Sequence, residues 1–265
     1  NVDSCVANLT IFDSIPPTII CQDTSIYLNN SGIVSIDTSF VLTSVSDACG
    51  IDSVYLSNNS FSCANSGNNS VTIYALDKNG NLDSCSATVT VIDSIPPSVS
   101  CIDTSVFLDA TGTVSIDTSF VLVSVSDGCG IDSVYLSATS FNCSQVGINA
   151  ITIYATDIFG NINSCTANVT VIDTALPTIT CKDTSVFLDA TGNFILDTSF
   201  VLTSASDACG IDSVYLSNTL FSCTDTGINL VTIFVRDNRG NVDSCVANLT
   251  IFDSIPPTII CQDTS

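Results

Sequence analysis

Apolar and polar side chains alternate along several short stretches of the chain. In Ser86–Asp93 (S-A-T-V-T-V-I-D), Ala87, Val89 and Val91 fall on one face and Thr88 and Thr90 on the other. A period of two marks a strand buried on one side. Val71–Leu76 (V-T-I-Y-A-L) alternates in the same way. The intervening D-K-N-G-N-L-D predicts a hairpin, because Gly and Asn accept the backbone conformations that tight turns need. The same reading predicts strands at 18–21, 26–28, 33–37 and 51–57. Residues 39–46 read either as a strand continuation or as a short irregular crossing. β-branched residues and Ser dominate and good helix formers are scarce, so the chain reads as all-β.

The pattern returns every 80 residues. One cysteine series is Cys5, Cys85, Cys165 and Cys245, and a second is Cys21, Cys101, Cys181 and Cys261. Cys49, Cys129 and Cys209 make the third, and Cys63, Cys143 and Cys223 the fourth. The string I-D-S-V-Y-L-S starts at Ile51, Ile131 and Ile211, and Pro17, Pro97, Pro177 and Pro257 keep the same step. Such self-similarity signals a repeat architecture. Three full repeats read 14–93, 94–173 and 174–253, preceded by a last strand (1–13) and followed by a first strand (254–265) of neighbouring repeats. Residues 1–25 and 241–265 are identical, which predicts a 240-residue super-repeat of three domains in a longer chain. Exchange of end strands between subunits is the alternative.

Six or seven short strands in about 80 residues predict an immunoglobulin-like β-sandwich, so the chain reads as tandem sandwiches in a rod. Short Pro-containing linkers such as Ile15–Pro17 predict stiff joints. A core this small needs staples. Fourteen cysteines with no C-x-x-C pair and no His point to disulfides in an oxidising compartment rather than to zinc. Four cysteines per repeat allow three pairings, and the sequence alone does not choose. The favoured set is Cys21–Cys85 with Cys49–Cys63, then Cys101–Cys165 with Cys129–Cys143, and Cys181–Cys245 with Cys209–Cys223. In a sandwich the first and last strands start near one pole, and Cys49 and Cys63 flank one strand and its return.

Composition then limits function. All 26 acidic residues are Asp, opposed by Lys78, Lys182, Arg236 and Arg239, for a net charge of -22. That charge repels nucleic acid and favours solubility and cations. No apolar run approaches the ~18 residues of a membrane span, and no signal peptide is visible, so the segment reads as interior or mature. Without His there is no ordinary catalytic triad. Lys78 and Lys182 occupy different repeat positions, which excludes a repeated Lys nucleophile or isopeptide bond. The chain is expected to be non-enzymatic.

The string from Ala75 to Asp93 (A-L-D-K-N-G-N-L-D-S-C-S-A-T-V-T-V-I-D) resembles the end of the hyalin repeat (HYR) domain, with its A-x-D-x-x-G-N ending, Cys and alternating strand. The D-x-x-P-P entry and early Cys, Asp13 to Cys21, match as well. Departures are Ala87, Ala167 and Ala247 where an aromatic is frequent, Val235 for Ala, and Leu176 for the first junction Pro. The resemblance implies an immunoglobulin-like fold, an early-to-late disulfide and extracellular adhesion or matrix work. The composition also resembles giant surface adhesins of Bacteroidota-type bacteria.

Several side-chain sets carry candidate chemistry. Asp13, Asp47, Asp52, Asp77 and Asp83 are expected to gather near one domain junction, with Asp93, Asp127, Asp132 and Asp157 at the second. Asp173, Asp207, Asp212, Asp237 and Asp243 are expected at the third. Gathered carboxylates suit Ca2+, which takes six to eight oxygens. The competing reading is that these Asp residues cap turns. Asp-Ser/Thr-aliphatic tripeptides resemble a Bacteroidota O-glycosylation motif and would place sugars on Ser14, Ser53, Ser94, Ser133, Thr174, Ser213 and Ser254. N-glycan sequons stand at Asn8, Asn29, Asn58, Asn68, Asn142, Asn168 and Asn248. Tyr55, Tyr135 and Tyr215 recur in an alternating strand and read as packing residues. The expected function is a structural shaft or spacer of an extracellular filament or giant adhesin. Its expected partners are further repeats, identical chains in a fibre, or covalent glycans. The alternative is a calcium-dependent or glycan-binding adhesive module.

Overall fold

The computed structural model describes residues 2–260. Cys261 and the rest of 261–265, the end of the strand expected at 254–265, lie outside the described residues. In the first repeat the strands are β1 (Thr18–Cys21), β2 (Thr24–Tyr27), β3 (Ile33–Ser35), β4 (Leu42–Ser46), β5 (Ile51–Leu56), β6 (Ser60–Ser62), β7 (Gly67–Asp77) and β8 (Leu82–Ile92). The second repeat holds β9 (Ser98–Cys101), β10 (Thr104–Phe107), β11 (Thr113–Ser115), β12 (Leu122–Ser126), β13 (Ile131–Leu136), β14 (Ser140–Asn142), β15 (Gly147–Asp157) and β16 (Ile162–Ile172). The third holds β17 (Thr178–Cys181), β18 (Thr184–Phe187), β19 (Asn193–Ile195), the one-turn helix α1 (Thr198–Val201), β20 (Leu202–Ser206), β21 (Ile211–Leu216), β22 (Leu220–Ser222), β23 (Gly227–Asp237) and β24 (Val242–Phe252).

The fold is all-β and immunoglobulin-like. The first strand is split: β1 pairs antiparallel with β4, while β2 switches sheets and lies parallel to β8. This gives a four-stranded sheet in the order β2-β8-β7-β5, repeated as β18-β24-β23-β21. The ambiguous stretch at 39–46 resolves into a 3-10 turn, Thr38–Phe40, followed by β4. Asp37 caps that turn by accepting from Ser39 N at 2.8 Å. The pattern reading missed β6, whose three residues S-F-S are too few to alternate; Phe61 is buried there and β6 pairs with β3.

The chain forms two compact units. One comprises Asn1–Cys101, Leu122–Ser137 and Thr152–Thr166, and the other Ile102–Val121, Ala138–Ile151 and Ala167–Ser265. In the first unit, Val71, Ile73 and Ala75 of β7 and Ala87, Val89 and Val91 of β8 lie together on the inner side of their sheet within one core cluster. In the second, Val231 and Ile233 of β23 and Ala247, Leu249 and Ile251 of β24 do the same. Alternation thus becomes burial directly, and the small size of each core leaves the fold dependent on covalent staples. Residues 2–12 form no strand, and Val2, Val6, Leu9, Ile11 and Phe12 are exposed.

Candidate functional site: the joint between repeats

One bridge type lies inside each repeat. Cys21, at the end of β1, bonds Cys85 on β8, with Cα atoms 5.8 Å apart; Cys101–Cys165 and Cys181–Cys245 repeat the arrangement. The bond ties the two sheets together and closes a loop of 64 residues.

The other bridges correct the expected pairing. Cys63 bonds Cys129 and Cys143 bonds Cys209, each across 66 residues of sequence, so the expected Cys49–Cys63, Cys129–Cys143 and Cys209–Cys223 bonds do not form. Cys5, Cys49 and Cys223 are unpaired among the described residues. The reason is geometric. The six residues of β5 separate Cys49 from Cys63. At ~3.3 Å per residue they hold the two sulfurs at opposite ends of a strand, roughly 20 Å apart, far beyond the ~7 Å Cα limit of a disulfide.

Local structure builds the two halves of this joint. At one end, Asn29 folds a turn by accepting from Ser31 N at 2.9 Å, and Gly32 N donates to Asn29 O at 2.8 Å. Gly32 has φ +70°, a conformation that L side chains rarely adopt. Cys63 N donates to Gly32 O at 3.2 Å, which sets the sulfur beside the turn. At the other end, Asp127 accepts from Cys129 N at 2.7 Å and Gly130 N at 3.2 Å, presenting Cys129 on a tight loop. The loop and the turn meet backbone to backbone: a Cβ on Gly128 would stand 2.6 Å from both Asn30 O and Gly32 N. In the Cys143–Cys209 joint, with Cα atoms 5.1 Å apart, Arg239 adds a hydrogen bond from Nη2 to Cys143 O at 2.9 Å.

The same joint collects carboxylates, though fewer than expected. Asp13, Asp47 and Cys49 each offer an atom within 4.8 Å of the others, as do Asp93, Asp127 and Cys129, and Asp173, Asp207 and Cys209. Asp52, Asp83, Asp132, Asp212 and Asp243 belong to none of these groups. Asp83 and Asp243 instead accept from the following backbone N–H, at 2.8 Å each. Asp77, Asp157 and Asp237 are buried turn caps. Asp77 Oδ1 accepts from Asn79 N and Asn81 N at 2.8 Å, and Oδ2 from Asn81 Nδ2 at 2.7 Å. Burial pushes the Asp77 carboxyl up, but its hydrogen bonds from Asn81, Asn79 and Gly80 together hold it below the usual range. This explains the D-x-x-G-N motif: its Asp is consumed by its own hairpin, and Asn81 Nδ2 also reaches Asp13 O at 3.2 Å to tie down the entry segment.

One difference separates the three groups. In the first, Asn79 Nδ2 donates to Asp13 Oδ2 at 3.0 Å. Phe159 and Arg239 occupy the equivalent positions, and the buried Oδ2 atoms of Asp93 and Asp173 have no hydrogen-bond partner. An orphaned carboxylate oxygen suits a cation. The third member of each later group is a bridged sulfur rather than a thiolate, which leaves two carboxylates per site. Backbone and water would have to supply most of a calcium shell. At the first group, a hydrogen bond to Asp13 and then its charge raise the Cys49 thiol, with Asp47 and Asp77 adding to the shift.

The remaining candidates are dispersed. Tyr55 stacks on Tyr74 across β5 and β7 with ring centroids 5.2 Å apart, and Tyr135–Tyr154 and Tyr215–Phe234 repeat the pair. Tyr55, Tyr135 and Tyr215 keep nearly half their surface in solvent, so each packs on one side and is open on the other. Ser14, Ser94, Thr174 and Ser254 are exposed on the entry segments, Ser133 is exposed on β13, and Ser53 and Ser213 are half-buried on β5 and β21. Among the sequon residues, Asn168 and Asn248 donate side-chain N–H groups to Asp103 and Asp183. No helix among the described residues is long and apolar enough to cross a membrane.

Residues 12–91 match the HYR domain. Over 98% of its length the chain is 30% identical to hyalin of Strongylocentrotus purpuratus, covering 23% of that protein. Over 72% of its length it is 26% identical to hyalin of Lytechinus variegatus, covering 38% of that protein. The chain therefore spans well under half the length of these relatives. Among solved structures it is similar to titin domains I67–I69 (14% identity, TM-score 0.39, 89% of this chain and 99% of that one). It is also similar to Sidekick-1 immunoglobulin domains 1–5 (12% identity, TM-score 0.36, 91% and 60%). The hyalins come from sea urchins, so the bacterial resemblance drawn from composition finds no support here. Disulfides and tandem immunoglobulin-like units fit an extracellular location. Together these matches support HYR-like domains in this chain, with residues 12–91 the stretch that matches the HYR domain.

Proposed function

We propose that the segment is a tension-bearing shaft of an extracellular fibre, with repeat units at 14–93, 94–173 and 174–253 and partners that are further repeats or identical chains. The observation that carries this reading is the two-point joint. Neighbouring repeats are connected by the peptide linker and, separately, by Cys63–Cys129 or Cys143–Cys209. A single linker permits bending; a second tie removes that freedom. Cys21–Cys85 and its equivalents also shield 64 residues of every repeat from load, leaving only the 16 from Cys85 to Cys101 to extend. At ~3.5 Å per residue an unfolding oxidised repeat lengthens by roughly 20 Å, against about 240 Å once all bridges are reduced. Single-molecule pulling in the two redox states tests this. Steps longer than about 100 Å in the oxidised chain would count against the shaft.

A second reading, an adhesive module, is favoured by the half-open aromatic pairs and by the orphaned oxygens of Asp93 and Asp173. Calcium would then sit at Asp93/Asp127 and Asp173/Asp207 but not at Asp13/Asp47, where Asn79 already supplies a donor. Equilibrium dialysis would return two sites per chain, and a melting curve unmoved by chelator would remove the metal. Sugars on the exposed Ser14, Ser94, Ser133, Thr174 and Ser254 belong to the same proposal; intact mass spectrometry of native material reads them directly.

A further inference from the structure

The two closed joints leave two open halves. Cys223 stands in the third repeat where Cys63 and Cys143 stand in the first and second. It makes the same local contacts: its Sγ approaches Gly192 O at 3.6 Å, as Cys143 Sγ approaches Gly112 O at 3.6 Å. A Cβ on Gly192 would meet the Cys223 sulfur at 2.6 Å, as one on Gly112 meets that of Cys143. Cys49 stands in the first repeat where Cys129 and Cys209 stand in the others, on a loop capped alike by Asp47, Asp127 and Asp207. Both sulfurs are exposed and unpaired. The donor half and the acceptor half of the joint are therefore each built on this chain, and each is seen closed twice at equivalent positions.

We infer that Cys223 and Cys49 are complementary covalent docking sites, joined by a disulfide between the third repeat of one copy of this segment and the first repeat of the next. The internal sequence identity supplies the register. Residues 1–25 recur at 241–265, so a following copy starts 240 residues on. That step brings its Cys49 66 residues after Cys223, the separation of both observed joints. The occupant is a second copy because the half-joints match each other. The bond needs an oxidant, and a small-molecule disulfide such as oxidised glutathione suffices. The Cys223 thiolate attacks it and releases one glutathione thiolate. The Cys49 thiolate then attacks the protein sulfur of the mixed disulfide and releases the second. Two protein thiols are oxidised and one glutathione disulfide is reduced to two thiols.

The deciding experiment uses the segment written twice in one chain, residues 1–240 followed by 1–265, with the first copy's Cys5 and the final Cys261 changed to Ser; the second copy's Cys5 is kept, because it stands where Cys245 bonds Cys181. After equilibration in a glutathione redox buffer, alkylation and peptide mapping should find the first copy's Cys223 bonded to the second copy's Cys49. Cys223→Ser in the first copy should leave that Cys49 alkylatable and every other bridge intact. Finding both thiols alkylatable while Cys63–Cys129 has formed overturns the inference. With the single segment, also carrying Cys5→Ser and Cys261→Ser, Cys49→Ser and Cys223→Ser variants should stay monomeric apart and cross-link when mixed. Dimers equally abundant in the separate incubations would overturn the complementarity.

Discussion

Residues 2–12 and 242–252 have the same sequence and different structures. The second copy is β24, paired over its length with β23 and, at its far end, lying parallel to β18. The first forms no strand, and Leu9 and Ile11 are open to solvent where Leu249 and Ile251 are buried. Nothing intrinsic to V-D-S-C-V-A-N-L-T-I-F makes it a strand. The alternation says which side chains would face a core, and the neighbouring strand decides whether there is one. Strand propensity here is a statement about partners.

Supplying the partner should have the largest effect. Placing residues 174–240 ahead of residue 1 gives 2–12 the neighbours that 242–252 has. Amide exchange across 2–12 should slow by at least ~10³-fold, the protection expected of a strand sharing a stability of several kcal/mol. Unchanged exchange would mean that the two copies differ for another reason. One substitution made at both places sharpens the contrast. Leu249→Ala should cost about 2–5 kcal/mol in denaturant unfolding of the third repeat. Leu9→Ala in the present chain should stay within about 0.5 kcal/mol, as for a surface site.

The joint shows the same dependence on what a loop meets. Ala48, Gly128 and Ala208 are equivalent in sequence, but Gly128 approaches the Asn29–Gly32 turn too closely for a side chain. Gly128→Val should destabilise the Cys63–Cys129 joint by about 1–3 kcal/mol, the usual cost of overpacking. That appears as a 10- to 100-fold easier reduction of this bridge alone in a glutathione titration. Acid should act more gradually. Hydrogen bonds from Ser39 hold Asp37 below the usual carboxylate range, and the hairpin does so for Asp77. Folding thus favours the ionised groups. Their contribution is complete above the unfolded pKa near about 4 and is lost as pH falls through the lower folded values, so melting temperature should drop on acidification below about pH 4. The smallest effect should come from Asp13→Asn, which removes the neighbour that most raises Cys49 and should speed its alkylation near neutral pH a few-fold.

The sandwich was largely legible because β7 and β8 alternate over eleven residues each. The three residues of β6 carry too little pattern, whereas the strand expected at 33–37 forms but ends at Ser35, and β2 starts two residues earlier than its apolar run suggests. At the joint, the sequence marked Asp13, Asp47, Asp93, Asp127, Asp173 and Asp207. It did not separate them from Asp77, Asp157 and Asp237, whose hydrogen bonds are satisfied inside their own hairpins. The cross-repeat bridges escape any pairing sought within one repeat, because each joins cysteines of neighbouring repeats. The strand expected at 51–57 already put Cys49 and Cys63 at opposite poles.

The interlocked bridges also change what it takes to sever the molecule. Between Cys21 and Cys245 every peptide bond is bypassed by another covalent route: cuts inside a repeat by Cys21–Cys85, Cys101–Cys165 or Cys181–Cys245, and cuts in the linkers by Cys63–Cys129 or Cys143–Cys209. A single proteolytic nick anywhere in that span therefore leaves one continuous piece, and a protease has to strike twice, in matched places, to part it.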